Sequence, residues 1–235
     1  VQDRSYGKEF EAHATGILAL IELPSGFLAS AAIDRTVKVL DPAGARILSS
    51  ITIQKDDIVT LVGHASGNMV IIGTAGGWVR TLTAPRLEEG RSFDARGKIT
   101  ALAPHPDGNS VAVGGLDGNV RLWSLQTSTP QAAMPDQKGP ITALAFDPKG
   151  RWLVVASADS TLHIFDARSG GQVKSIAESD GYFTVASFMG EEVLWAGTSR
   201  GILKTWRVLE APPDTDPPVI SLTRPPADQE GIMVA

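Results

Sequence analysis

The chain of 235 residues contains no cysteine. Disulfides, thiolate nucleophiles and thiolate-held zinc are excluded together. That absence suits a reducing cytoplasm, the expected compartment, and equally a cysteine-poor bacterial periplasm. Aromatic residues are scarce, at 6%. Positive charge is not in excess, since 21 Lys and Arg stand against 26 Asp and Glu for a net charge of −5. Proteins that grip a phosphate backbone show a basic balance or a basic block, so nucleic acid is not an expected partner. No run approaches the roughly 18 uninterrupted apolar residues of a membrane span, so membrane insertion is not expected either. Val1-Gln2-Asp3-Arg4 carries neither an initiator methionine nor a signal-peptide pattern. The start reads as a product of processing or as a piece of a longer chain.

What the chain has in quantity is turn formers, 24 glycines and 15 prolines, within a composition that is 43% hydrophobic. It also repeats. Five segments share an apolar–basic–apolar–apolar or aromatic pattern, with Thr at the third place in two of them. They are Val37-Lys38-Val39-Leu40, Val79-Arg80-Thr81-Leu82, Val120-Arg121-Leu122-Trp123, Leu162-His163-Ile164-Phe165 and Leu203-Lys204-Thr205-Trp206. Their last residues are spaced by 42, 41, 42 and 41 positions. A second column (Ile17, Ile58, Ile99, Ile141, Phe183) advances by 41, 41, 42 and 42. Three residues after each member comes Leu20, Leu61, Leu102, Leu144 or Ala186. Two independent columns with one period establish an internal repeat.

Within a unit the pattern is that of strands. In the fourth, Ile141–Phe146 ends at the turn Asp147-Pro148-Lys149-Gly150; Trp152–Ser157 and Leu162–Phe165 follow, separated by a tight turn at Asp159-Ser160. A fourth run, Gln172–Ile176, leads on to the next unit. Short alternating or continuous apolar runs punctuated by Gly, Pro and Asp predict four-stranded antiparallel sheets, and helical spacing is absent.

These features resemble the WD40-repeat family of β-propellers, whose period is about 40–45 residues with four strands per unit. Leu122-Trp123-Ser124 stands where that family has its Trp-Asp ending, with Ile164-Phe165-Asp166 and Val39-Leu40-Asp41 as variants. Ala12-His13 stands at the family's Gly-His, and Pro106-Asp107-Gly108 at its turn motif. The resemblance runs from residue 13 to 206. It implies an all-β, WD40-type β-propeller with five recognisable blades at about 14–55, 56–96, 97–138, 139–180 and 181–210, within a domain spanning 1–210. An outer strand is expected at 8–13. The family's tetrad of Asp, His, Ser/Thr and Trp is complete in no unit, because only the first keeps the His and there Leu40 replaces Trp. Asp34, Asp117 and Asp159 hold the Asp column, whereas Gly76 and Arg200 replace it in the second and fifth units. Looser second and fifth blades are expected, at a cost of roughly 1 kcal/mol per missing buried bond.

The ends leave two closures open. The 8–13 strand completes the fifth unit in a five-bladed ring, or the chain is part of a larger ring, seven blades being usual in the family. Residues 211–218 form a Pro-rich, stiff linker. Val219-Ile220-Ser221-Leu222 reads as a short strand, a candidate fourth strand of the fifth unit, and Glu230–Ala235 resembles the opening of a further blade.

No catalytic constellation emerges. His13, His64, His105 and His163 share no metal-ligand spacing and fall in different strands and turns. The glycine clusters 73–77 and 114–118 lie between second and third strands, not between a strand and a helix, so they are turns and not phosphate cradles. Asp34, Asp117 and Asp159 recur once per unit, as turn-capping carboxylates do, and do not converge as a catalytic pair must. The basic column Lys38, Arg80, Arg121, His163 and Lys204 fits side chains whose stems cover apolar surface. No metal site and no cofactor is expected, and the chain is not expected to be an enzyme.

The resemblance implies a scaffold or sensor module that binds a protein or peptide on one face, as a subunit of a larger complex. That face is built in the family from the turns between second and third strands and the loops entering each first strand. Carried onto this chain, the first set supplies Arg35, Trp78, Asn119 and Arg200, and the second Asp57, Lys98, Lys138 and Tyr182. Trp, Tyr and Arg are enriched at interface hot spots. Trp78 stands out because it follows a Gly-Gly turn, where a core tryptophan is unusual. The alternatives are a propeller hydrolase or oxidoreductase using a central channel, and a regulatory propeller fused to an effector domain.

Overall fold

The repeat is a four-stranded antiparallel meander, seen five times in a computed structural model that describes residues 10–54, 56–179, 181–210 and 220–223. Blade one comprises β1 (Ile17–Glu22), β2 (Leu28–Ala32), β3 (Thr36–Asp41) and β4 (Arg46–Thr52). Blade two comprises β5 (Ile58–Gly63), β6 (Met69–Thr74), β7 (Trp78–Thr83) and β8 (Glu88–Asp94). Blade three is β9 (Ile99–Pro104), β10 (Ser110–Gly115), β11 (Val120–Ser124) and β12 (Pro130–Ala133). Blade four is β13 (Ile141–Phe146), β14 (Trp152–Ser157), β15 (Thr161–Asp166) and β16 (Gln172–Ala177). Blade five is β17 (Phe183–Met189), β18 (Val193–Thr198), β19 (Leu203–Glu210) and β20 (Ile220–Thr223). No helix occurs among the described residues. The expected short strand near 220 is β20, and it pairs with β19 from Arg207↔Thr223 to Glu210↔Ile220. The fourth place in blade five is therefore filled by its own continuation and not by residues 8–13. Residues 10–13 form no strand, while Lys8 and Glu9 lie outside the described residues, as do the linker at 211–218 and the expected blade opening at 230–235.

The chain divides into two compact units, residues 1–99 and 100–235. In the first, one face of blade one is lined by small and β-branched side chains: Ala29, Ala31, Val37 and Val39, all fully buried. They form one apolar cluster with Ile58, Leu61, Val70, Ile72 and Leu82 of blade two. In the second unit the pattern recurs twice. Ala101, Ala103, Ala112, Val120 and Leu122 of blade three cluster with Ile141, Leu144, Leu153, Val155 and Phe165 of blade four. Val154, Ala156, Leu162 and Ile164 of blade four cluster with Phe183, Leu194 and Ala196 of blade five. Within each unit, one sheet thus packs an apolar face against the large-residue face of the next, in blades one and two, three and four, and four and five. The second strand β14, covered on both sides, reads as a continuous apolar run and is buried at every residue, whereas β18 alternates. Fourth strands such as β8 and β16 are largely exposed and polar.

A β-bulge follows the first residue of β1, β5, β13 and β17. Ile58 pairs with Thr74 and Leu61 with Ile72, so residues three apart share a face that strict alternation would deny them. The bulge is what turns the two sequence columns into one buried surface.

Candidate functional site

At one end of the sheets of blades one, two, four and five the second-to-third-strand turn meets the loop entering the first strand. Backbone bonds tie the two together: Ile33 N–H to Gly16 O (3.1 Å) and Ala75 N–H to Asp57 O (2.9 Å) in the first unit. Ala158 N–H to Pro140 O (2.8 Å) and Ser199 N–H to Tyr182 O (2.8 Å) do so in the second. Both sets of loops therefore form one platform within each unit.

In the first unit the blade-one turn is organised by Asp34, whose Oδ1 accepts the Thr36 N–H (2.9 Å) and the Thr36 hydroxyl (2.6 Å). Burial raises the Asp34 pKa, but the Thr36 bonds outweigh it and hold the carboxyl below its ordinary range. Arg35 adopts φ 63° in that turn, and its Nε donates to Asp57 Oδ1 at 2.8 Å. Arg35 and Asp57, inferred separately from the sequence, are thus paired. Both side chains are exposed, so the ion pair contributes at most about 1 kcal/mol and its groups are open to a ligand.

The blade-two turn lacks the Asp of the column, yet its donors are satisfied. Asp56 reaches in from the preceding loop and accepts the Gly76 N–H at 2.9 Å. Thr74 Oγ1 accepts the Trp78 N–H (3.0 Å) and donates to Trp78 O (3.2 Å). Gly77 sits at φ 92°, and a Cβ on it would lie 2.7 Å from Gly97 O, so the residue cannot carry a side chain there. Trp78 is consequently held at the first position of β7, with its side chain 41% exposed. Lys98, exposed, follows Gly97 on the loop that this contact presses against the turn.

The second unit holds the other four of the eight sequence candidates, and they divide. Asn119 belongs to its own turn, because its side-chain N–H donates to Asp117 Oδ2 (2.6 Å) and its backbone N–H to Asp117 Oδ1 (3.1 Å). Lys138 is anchored through its backbone N–H to Asp159 Oδ2 (3.1 Å), leaving its side chain exposed. Tyr182 is exposed, its N–H bonded to Ser199 Oγ at 3.2 Å; exposed Arg200 follows Ser199 in the same turn. In blade five the missing Asp is replaced by Thr198, whose Oγ1 accepts the Ile202 N–H at 3.2 Å. The expectation that blades two and five lose turn bonds is therefore corrected: Asp56, Thr74 and Thr198 supply acceptors from neighbouring positions. Sequence reasoning missed them because they stand outside the Asp column. It also missed Ile33, Leu116 and Ile202, exposed apolar side chains in or beside these turns. Their repeat phase was the available signal.

Three of the four histidines are held in local hydrogen-bond networks. His13 Nδ1 lies 2.8 Å from Thr36 Oγ1 and Nε2 lies 2.7 Å from buried Ser30 Oγ. Since Thr36 gives its hydrogen to Asp34, the network assigns the proton of a neutral imidazole to Nδ1 and makes Nε2 the acceptor for Ser30. Burial pushes the His13 pKa down despite the attraction of Asp34. His105 joins Asp107 (2.8 Å) to Gly150 O (2.9 Å), and His64 bonds Ser66 Oγ (2.8 Å). Lys38 donates to Ala12 O (2.7 Å), Arg80 lies 3.8 Å from Glu89, and Lys204 pairs with Glu178. The basic column is thus partly occupied by local partners. Among the described residues, no three His, Asp or Glu side chains are placed to hold a metal ion.

The family model described as "WD domain, G-beta repeat" matches residues 88–124 and 128–166. The first match runs from the start of β8 to the end of β11, and the second ends with β15. The sequence repeat is thus offset by one strand from the sheet, starting in the outer strand of one blade and finishing in the third strand of the next. No curated protein matches the chain. The two direct matches support assigning the repeats of this chain to the WD40-repeat family.

Proposed function

We propose that this chain is a non-catalytic scaffold that holds a protein or peptide against the turn platforms of its blades. WD40 repeats generally serve as protein-interaction scaffolds. The observation that carries the reading to particular residues is Trp78. A large aromatic side chain stands two-fifths exposed on a turn fixed by Thr74, Asp56 and the Gly77–Gly97 contact. A rigid aromatic costs little entropy to immobilise, and such residues dominate binding energy. Beside it in the first unit, the Arg35–Asp57 pair and Lys98 offer charge; in the second, Tyr182 and Arg200 form a smaller aromatic–basic set. His13, His64 and His105 and the carboxylates of the Asp column are committed to local hydrogen-bond networks, which favours a scaffold over an enzyme.

The test is selection of a displayed peptide library on the immobilised chain, followed by calorimetry on an enriched peptide. Trp78→Ala is expected to weaken binding by about 2 kcal/mol or more, roughly 30-fold in Kd, with thermal stability nearly unchanged. Arg35→Ala is expected to cost less than about fivefold, as an exposed pair does. Equal affinity for wild type and Trp78→Ala removes Trp78 from the binding surface.

A further inference from the structure

In three blades the residue after the left-handed position of the second-to-third-strand turn is spent on the turn itself. That position is Arg35, Gly118 or Ser160, with φ of 63°, 81° and 73°. Thr36 and Thr161 then donate their hydroxyls to Asp34 and Asp159, and Asn119 donates a side-chain N–H to Asp117. Blade two departs from this pattern. Gly76 stands in the Asp column, Asp56 and Thr74 supply the caps, and the residue after Gly77 is Trp78. Both backbone groups of Trp78 are bonded to Thr74 Oγ1, so its indole has no part in holding the turn.

A second departure lies across the strand pair. Trp78 stands opposite Asp94 of β8, whereas Thr36 and Thr161 stand opposite Thr52 and Ala177. Ala95 N–H bonds to Gly77 O at 2.8 Å, which closes the neighbouring pair. Trp78 and Asp94 are therefore a non-hydrogen-bonded pair, whose side chains share a face of the sheet at the closer of the two cross-strand spacings. Both are exposed. Asp94 Oδ1 accepts the Arg96 N–H at 2.8 Å, and among the described residues no cation is stacked on the Trp78 ring.

An indole face attracts a cation through its quadrupole, and a carboxylate beside it adds a charge-assisted hydrogen bond. The cation of the blade-one turn, Arg35, is already paired with Asp57. The chain's net charge of −5 adds attraction for a basic partner. Asp94 is fixed beside Trp78 by strand register, whereas the exposed cations Arg96 and Lys98 lie on the loop beyond it. Those two make an acidic peptide the competing ligand. We propose that Trp78 and Asp94 form a subsite for the arginine or lysine side chain of a basic peptide, with the charge over the indole and an N–H donated to the carboxylate. The subsite presupposes the peptide-binding role of the turn platform and gives it a chemical preference.

The test uses synthetic peptide arrays, probed with the full chain, in which a fixed central residue is flanked by randomised positions. The central residue is Arg, Lys, citrulline, norleucine or Glu. The Arg and Lys sets are expected to bind best. Citrulline keeps the shape of arginine without its charge, and its substitution in the tightest Arg peptide is expected to weaken binding about tenfold by calorimetry. Two variants locate that difference. Asp94→Asn keeps an acceptor for the Arg96 N–H, and Trp78→Leu keeps an apolar side chain. In each, the gap between the Arg and citrulline peptides is expected to shrink at least threefold, and an unchanged gap in both overturns the subsite. Equal binding of the Arg and citrulline peptides overturns it too, as does a preference for the Glu set. If those peptides still lose affinity on Trp78→Ala, the scaffold reading survives and only the cationic preference falls. Arrays that yield no Trp78-dependent peptide overturn both.

Discussion

At the scale of single residues, His13 shows how one side chain ties a pH dependence to the fold. Its imidazole is buried between Ser30 and Thr36, with Asp34 Oδ2 at 3.6 Å and Lys38 nearby. Only the neutral form satisfies the network, since protonating Nε2 removes the acceptor for the buried Ser30 hydroxyl. Burial lowers the His13 pKa from 6.5, and burial also lowers that of His163. A group whose pKa is lower in the folded state contributes stability that is present above the unfolded pKa. That stability is lost as pH falls from there through the folded value. The depressed carboxyls of Asp34, Asp107 and Asp159 keep their contribution above the ordinary Asp range, so they stay flat in this window. Urea midpoints are therefore expected to fall between pH 7.5 and pH 5.5. His13→Gln is expected to shrink that fall, leaving the part due to His163. An equal fall in wild type and variant would remove His13 as a source.

At the scale of elements, the second-to-third-strand turn matters most, because it fixes the platform residues. Blades one, three and four cap this turn with Asp34, Asp117 and Asp159, whereas blade two borrows Asp56 from the preceding loop. Asp56→Ala leaves the Gly76 N–H without its acceptor and is expected to cost about 1 kcal/mol. In a chain of this size that lowers Tm by roughly 2–4 °C. Asp56→Asn keeps an acceptor oxygen and is expected to lose less; an Asp56→Ala variant as stable as wild type would show that the borrowed cap is idle. This turn also marks where the sequence stopped being legible. The two apolar columns, the four strands per unit and β20 could be read from period and composition. The bulge after the first residue of β1, β5, β13 and β17 was written in the three-residue offset between the columns, but alternation alone does not reveal it. Among the platform residues, Trp78 and Tyr182 were legible because a large aromatic beside a glycine turn has little core to enter. The binding of Asn119 to Asp117 and the reach of Asp56 to Gly76 depend on side-chain direction, which a repeat column does not carry.

At the scale of the whole chain, five copies of one sheet make different demands on the same repeat position. A repeat protein is stabilised by the interface each unit shares with its neighbour. The first column, identical in four of five blades, is therefore a probe of which interfaces exist. Ile58 is 5% exposed and covers the small-residue face of blade one, whereas Ile17 is 50% exposed. Deleting the same atoms from the two residues isolates the neighbour's contribution, because strand, bulge and residue type are held constant. Ile58→Ala is expected to cost about 2–5 kcal/mol, the range for a buried large-to-small change with incomplete collapse of the cavity. Ile17→Ala is expected to stay below about 1 kcal/mol, since much of its surface already meets water. Denaturant titration of the two variants measures the difference directly. Comparable losses at both positions would mean that Ile17 is covered in solution and that the first column acts as one continuous buried surface.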